Sequence, residues 1–243
     1  MLHDDLVTPE ILRLVSPFAD VQNVGKRCGC KTIHQEEINF LMVARAVSGQ
    51  LVVRLKSGDP LIFGRAGEEI EALRQADVEY EIVSGVTSSL GAAAAAGIPL
   101  THRKVSSTLV LTAGHRASGH EDPDWSRFAA GQSTLVVYMP GSNYAEVAGK
   151  LTTAGFAAET PCAIISRATT PGQRIYRATV SDLHRAPQLA SPALLVVGEV
   201  VRFADRSLVE QAESLPAFER ELEAEFSRMV PALESGPQEE PLI

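Results

Sequence analysis

Cysteine is scarce: Cys28, Cys30 and Cys162 are the only three in 243 residues. Cys28 and Cys30 stand too close in sequence to bridge each other comfortably, and an odd set builds no disulfide framework. One Cys-x-Cys pair without a second pair also lacks the spacing of a zinc site, and neither His102 nor His115 has a third ligand at metal spacing, so no metal is expected. The thiols read as buried or loop residues of a reducing compartment, which makes the cytoplasm the expected location. Long apolar runs are missing as well. The longest, Leu90–Leu100, is rich in alanine and glycine and falls short of the roughly 20 residues of a membrane span. No basic segment leads into an apolar stretch at the start, so no signal peptide is expected. A basic stripe is absent, which excludes nucleic acid as an expected partner. The sequence also lacks the strand–Gly-x-Gly-x-x-Gly–helix fingerprint of dinucleotide folds and any repeat at solenoid periods.

What is present is ordinary for a globular chain: 45% hydrophobic and 21% charged residues, with a net charge of −8. The charge is uneven. Residues 201–243 hold four arginines and ten carboxylates, so most of the acidity sits in the tail. The body is close to neutral and can still hold a locally cationic pocket. Short apolar runs predict buried strands at Leu51–Leu55, Tyr80–Val83, Ser107–Thr112, Thr134–Met139, Cys162–Ser166 and Ala193–Val197. Helical periodicity marks Glu36–Ser48, Gly67–Gln75 and Asn143–Ala154, the last with Asn143 as cap and Gly155 as stop. Strands alternating with helices predict an α/β protein with largely parallel sheets. The expected organisation is an N-terminal α/β domain over 1–104, a C-terminal α/β domain over 105–206 and an acidic, partly disordered tail over 207–243. Glu210–Glu225 could form a charged helix there.

The most informative segment runs from Val52 through Arg54-Leu-Lys-Ser-Gly-Asp-Pro60 and Phe63-Gly-Arg65 to Glu69. A buried strand enters a turn of small residues, then a second glycine turn, then a helix. Small residues after a strand let a ligand approach the backbone, and open α/β sheets bind ligands at the carboxyl ends of their strands. Asp59 could accept hydrogen bonds from a ligand's hydroxyl or amino groups, or could simply close a tight turn. The density of Arg54, Lys56, Arg65, Glu68 and Glu69 is unusual for a mere connection.

This stretch resembles the signature of the uroporphyrinogen-III C-methyltransferases of the tetrapyrrole methylase family. Their strand ends in Arg-Leu-Lys-Gly-Gly-Asp-Pro and continues to Phe-Gly-Arg-Gly-Gly-Glu-Glu. Here Ser57 and Ala66 replace two of the glycines. Further matches follow in order: His3-Asp-Asp-Leu-Val7, Val24-Gly-Lys-Arg-Cys-Gly-Cys30, Gln35-Glu-Glu-Ile-Asn39, Ser84-Gly-Val-Thr-Ser-Ser89, Gly97-Ile-Pro-Leu-Thr-His-Arg103, Thr112-Ala-Gly-His115, Thr134-Leu-Val-Val-Tyr-Met139 and Ser191-Pro-Ala193. The resemblance covers about residues 2 to 201. It implies two α/β domains with the active site in the cleft between them, S-adenosyl-L-methionine as methyl donor, and a homodimer. It also implies methylation of uroporphyrinogen III at two ring carbons to give precorrin-2, which leads to sirohaem and cobalamin-type cofactors.

Residue by residue, the resemblance places Ser57, Gly58, Asp59, Ile62, Thr87, Ser88, Met139, Ala168 and Ala193 at the cofactor. From the residues alone, Ile62 and Met139 read as plain core. Uroporphyrinogen III carries eight carboxylates, which suits the planar fork of arginine. Arg65 and Arg103 match substrate positions, and Glu68 matches an acidic partner. An Arg65–Glu68 ion pair at the helix start is compatible with that role. Asp4 and Lys26 match the family's acid–base pair.

The family begins with a strand and a Gly-x-Gly-Pro-Gly-Asp-Pro loop that approaches the cofactor, and this sequence lacks that segment. The expectation is weaker binding of S-adenosylmethionine than in a version carrying it. Two alternatives stay open: another precorrin methyltransferase, or a catalytically impaired chain that binds tetrapyrrole without methylating it.

Overall fold

The computed structural model describes residues 1–25, 33–114, 124–129 and 132–204. Lys26, Cys28, Cys30, His115 and the tail, with its expected Glu210–Glu225 helix, lie outside the described residues. The chain divides into two compact units, Met1–Gly91 and Ala92–Ile243.

The first unit carries a sheet of three short parallel strands, β1 (Leu2–His3), β2 (Gln22–Asn23) and β3 (Arg54–Leu55), in the order β2-β1-β3. Leu2 pairs with Gln22 on one side and with Arg54 on the other. Three described helices accompany it, α1 (Pro9–Leu12), α2 (Gln35–Val47) and α3 (Ala66–Gln75), and a fourth, α4 (Ser88–Ala95), runs across the division between the units. α2 forms where the periodicity predicts it. Its apolar face buries Ile38 and Met42 against Leu2 and Val24. Its start is closed by Glu37, whose carboxylate accepts from the His34 backbone N–H at 3.0 Å, satisfying one of the donors a helix N-terminus leaves free. α4 is made of alanine, glycine, serine and leucine. Alanine favours helix without any amphipathic period to announce it, so periodicity does not find this element.

The second unit carries a five-stranded mixed sheet, β4 (Thr108–Ala113), β5 (Ser133–Tyr138), β6 (Pro161–Ser166), β7 (Arg174–Thr179) and β8 (Ala193–Val197), ordered β4-β5-β8-β6-β7. β4 and β5 are parallel; β8 runs antiparallel to both β5 and β6, and β7 antiparallel to β6. The expectation of largely parallel sheets therefore holds for the first unit only. Helices α5 (Ser126–Ala129) and α6 (Tyr144–Thr153) belong to this unit. Asn143 caps α6 by accepting from the Glu146 N–H at 3.3 Å. Leu135, Val137, Ile164, Leu195 and Val197 on the strands meet Val147 and Leu151 of α6 in one core. No described helix is long and apolar enough to cross a membrane.

Candidate functional site

In the first unit, two loops meet at the carboxyl end of the sheet. One follows β3 and carries Ser57, Gly58 and Asp59; the other, Ser84–Thr87, leads into α4. Asp59 ties them together. One of its oxygens accepts from the Leu61 N–H at 2.9 Å, the other from the Gly85 N–H at 3.0 Å. Gly58 has φ +76°, and a Cβ on it would lie 3.4 Å from the Ser88 hydroxyl. A Cβ on Gly85 would overlap the Gly58 carbonyl oxygen. The loops can approach this closely only because position 85 is glycine, while the left-handed backbone at position 58 favours glycine for its conformation. Ser57, where the family has glycine, donates its hydroxyl to the Leu6 carbonyl at 2.6 Å, which fastens the turn to the chain leaving β1. Ile62 lies half-buried in the same loop, with its N–H donating to the Asp59 carbonyl at 3.2 Å. Thr87 offers its carbonyl to the first amides of α4, with Leu90 N–H at 3.0 Å, and Ser88 opens that helix. The structure thus gathers all six of these predicted cofactor residues around one clasp.

Beyond the clasp, Phe63 and Arg65 adopt left-handed backbone at φ 53° and 58°. Such conformations cost roughly 1 kcal/mol or more at non-glycine residues and concentrate at functional sites. Arg65 donates to both oxygens of Glu68, at 2.7 and 2.6 Å. The Glu68 carboxylate holds the guanidinium above its ordinary pKa. Both side chains remain about half exposed, so the pair stays open to a ligand.

Asp4 sits directly after β1, with its N–H on the Leu55 carbonyl at 3.3 Å. Its carboxylate accepts from Arg54. Arg54 also donates through Nε to Glu69 at 3.0 Å, and Lys56 binds both Glu69 oxygens, at 2.9 and 2.8 Å. Gln35 adds a third donor to Glu69 at 3.3 Å. Sequence reasoning assigned no role to Arg54, Lys56, Glu69 or Gln35. The available signal was the placement of two cations, two residues apart, within and directly after an otherwise apolar run; in extended backbone residues i and i+2 face the same side.

In the second unit, the remaining predicted cofactor residues collect at one end of the three central strands of the sheet. Tyr138 ends β5 and pairs with Leu194, while Ser166 ends β6 and pairs with Ala193. Met139 and Ala168 therefore follow strand ends that flank the start of β8. The Arg167 N–H donates to the Pro192 carbonyl at 2.8 Å, drawing the 191–193 segment against the end of β6. Met139, Arg167 and Thr169 all have positive φ, at 51°, 45° and 64°. Met139 is half-exposed, not the core residue its apolar surroundings suggest. Arg103 is exposed on a turn closed by paired bonds between His102 and Ser106.

Each unit, taken by itself, offers surroundings of a kind that suits part of S-adenosylmethionine. A glycine-lined backbone with hydroxyls from Ser57, Thr87 and Ser88 suits the polar parts of such a molecule. The Met139 thioether and the small Ala168 and Ala193 suit a flat apolar face.

The comparisons with known proteins agree in direction. The profile of the tetrapyrrole (corrin/porphyrin) methylases matches residues 2–184. Siroheme synthase 2 of Aeromonas hydrophila is 44% identical over 207 residues, covering 85% of this chain and 44% of the relative. Siroheme synthase of Tolumonas auensis is 44% identical over 209 residues, covering 84% and 44%. The chain thus spans less than half the length of these curated relatives. Among solved structures, uroporphyrin-III C-methyltransferase of Thermus thermophilus in complex with S-adenosyl homocysteine superposes with a TM-score of 0.71 at 37% identity, covering 83% of this chain and 85% of that one. A cobalt precorrin-4 methyltransferase gives the same TM-score at 29% identity, covering 82% and 83%. A family profile matched over most of the length, on a fold shared with solved members, shows that this chain belongs to the tetrapyrrole methylase family.

Proposed function

We propose that this chain catalyses S-adenosylmethionine-dependent C-methylation of uroporphyrinogen III at two ring carbons, giving precorrin-2 on the way to sirohaem or cobalamin-type cofactors. The observation that carries this reading is the clasp of Asp59, Gly58 and Gly85 at the carboxyl end of the first sheet, built from the motif that resembles these enzymes. When bound, S-adenosylmethionine supplies an electrophilic methyl group on a sulfonium. By the family resemblance, the residues that would hold it are Ser57, Gly58, Asp59, Ile62, Thr87, Ser88, Met139, Ala168 and Ala193. Asp59 keeps the backbone of the two loops in place, so their carbonyls and hydroxyls are fixed before the ligand arrives. Arg65 and Arg103 bind carboxylates of the substrate, and Glu68 orients Arg65. Asp4 takes up a proton that the macrocycle must shed elsewhere once a ring carbon has gained its methyl group, with Lys26 as its acid partner.

The Phe63-Gly-Arg65 stretch and the higher identity to the uroporphyrin-III enzyme favour this substrate over a later precorrin. A homodimer and a cytoplasmic location complete the proposal. The first rests on the family resemblance, the second on a cysteine set too small and too oddly spaced for a disulfide framework. The test is anaerobic incubation of the chain with uroporphyrinogen III and methyl-labelled S-adenosylmethionine. Two labels per macrocycle are expected. Retention of the tetrapyrrole without label would establish a binding protein instead.

A further inference from the structure

We propose that Arg54 is the positioning residue for Asp4, and that Lys56 keeps Arg54 available for this task by neutralising Glu69. The proposal rests on the reading of Asp4 as proton acceptor. Arg54 uses all three edges of its guanidinium. Nη2 binds Asp4, Nε binds Glu69 at 3.0 Å, and Nη1 binds the carbonyls of Leu55 at 3.1 Å and Leu2 at 3.4 Å. A planar fork anchored through Nε and Nη1 has little rotameric freedom left, so the Asp4 carboxylate on its remaining nitrogen, Nη2, is fixed in direction as well as distance.

The burial of the four charges forms a gradient. The side chains of Lys56 and Glu69 are 6% exposed, Arg54 is 11% exposed and Asp4 is 31% exposed. Asp4 is the member of this group that a substrate can reach. The other three are buried charges, and such charges contribute little to stability over apolar residues of the same size. Their arrangement instead serves direction. Two cations balance two carboxylates. Lys56 places its ammonium on both Glu69 oxygens. Without it, Glu69 would compete for the guanidinium and draw it off Asp4. Lys56 therefore acts on Asp4 through two intervening residues, without touching it.

The test uses steady-state kinetics on the full chain with Arg54→Lys, Arg54→Met, Lys56→Met, Asp4→Asn and the Asp4→Asn/Arg54→Met double variant. Loss of alignment predicts that Arg54→Met lowers kcat about 100-fold while KM for both substrates moves less than about threefold. Arg54→Lys, which keeps the cation but loses the fork, should recover about a tenfold part of that loss. Lys56→Met should lower kcat about tenfold. The double variant should be no slower than Asp4→Asn alone, because a positioning residue has nothing left to position. If Arg54→Met does not fold, Arg54→Lys still decides the matter: wild-type kcat in that variant overturns the proposal. So does full multiplicativity of the two single losses in the double variant. A wild-type chain that transfers no methyl overturns the functional reading and the positioning role together, whereas an active wild type with an unaffected Arg54→Lys overturns only the positioning role.

Discussion

Arg65 and Cys162 show how the same chemistry gives different weight to a side chain in different surroundings. The Arg65–Glu68 pair is near-ideal in geometry, yet both side chains are about half exposed, and such i,i+3 pairs add less than about 0.5 kcal/mol to stability. Arg65→Ala should therefore leave the melting temperature nearly unchanged. If Arg65 holds a substrate carboxylate, the lost charge-assisted bond is worth about 1.5–3 kcal/mol, a rise of roughly 10- to 100-fold in KM for uroporphyrinogen III. KM for S-adenosylmethionine should stay constant, and a rise confined to that cofactor would move Arg65 out of the substrate site. Cys162 is the opposite case. Its thiol lies fully inside β6, and burial pushes its pKa from the ordinary 9.0 to about 12. Between those values the unfolded chain has lost the proton and the folded chain keeps it. Stability from this group is thus complete below pH 9 and falls as pH rises toward 12, by up to about 1.4 kcal/mol per pH unit. Urea midpoints at about pH 8 and about pH 10 should fall further in the wild type than in Cys162→Ala. Equal falls would show that the thiol does not titrate in that range.

At the scale of elements, the clasp depends on backbone contact rather than on side chains. A methyl group at Gly85 meets the Gly58 carbonyl head-on, with no flexible atom to yield. Gly85→Ala should push the two loops apart and weaken S-adenosylmethionine binding at least about tenfold, as sub-ångström displacements in preorganised sites do. The core of the second unit should be untouched, and calorimetric titration against S-adenosylhomocysteine reads the change directly; an unchanged affinity would separate the clasp from the cofactor. The same loops show what a sequence can and cannot reveal. Ala193–Val197 and the helix after Asn143 are legible because their apolar pattern and cap are local properties. Tyr80–Val83 carries the same strand-like pattern, yet it pairs with no strand, and Val83 is 76% exposed. Leu51–Leu55 is reduced to Arg54–Leu55 for a related reason, with Leu51 93% exposed. Strand pattern reports what a segment can bury; strand formation needs a neighbour's backbone, which no local pattern contains. The charge network was illegible in the same way, since Asp4, Arg54 and Glu69 meet only through the pairing of β1 with β3 and the return of α3.

Across the whole molecule, the two units differ in how much holds them together. Among the described residues, the second unit has a core of fourteen buried side chains spanning β5, β6, β8 and α6, whereas the first centres on Leu2, Val24, Ile38 and Met42. Its sheet consists of strands of two residues, and a groove of about 900 Å³ separates Leu51–Leu55 from Val78–Gly85. Burial of apolar surface stabilises by about 25 cal/mol per Å², so a unit that leaves Leu51, Ile82 and Val83 in water should open at lower free energy. Native-state hydrogen exchange should show this as two levels. Amides of Leu135–Val137, Ile164–Ile165 and Leu195–Val197 should exchange last, through global unfolding. Amides of β1 and β3 should exchange earlier and with a weaker denaturant dependence, the mark of a smaller opening. If the clasp holds part of the ligand as proposed, S-adenosylhomocysteine should slow exchange at Gly85 and along the start of α4 while leaving β6 unchanged, because a ligand raises the opening free energy only of what it binds. A single exchange level for both units, unaffected by the ligand, would mean that the small core of the first unit opens only together with the large core of the second.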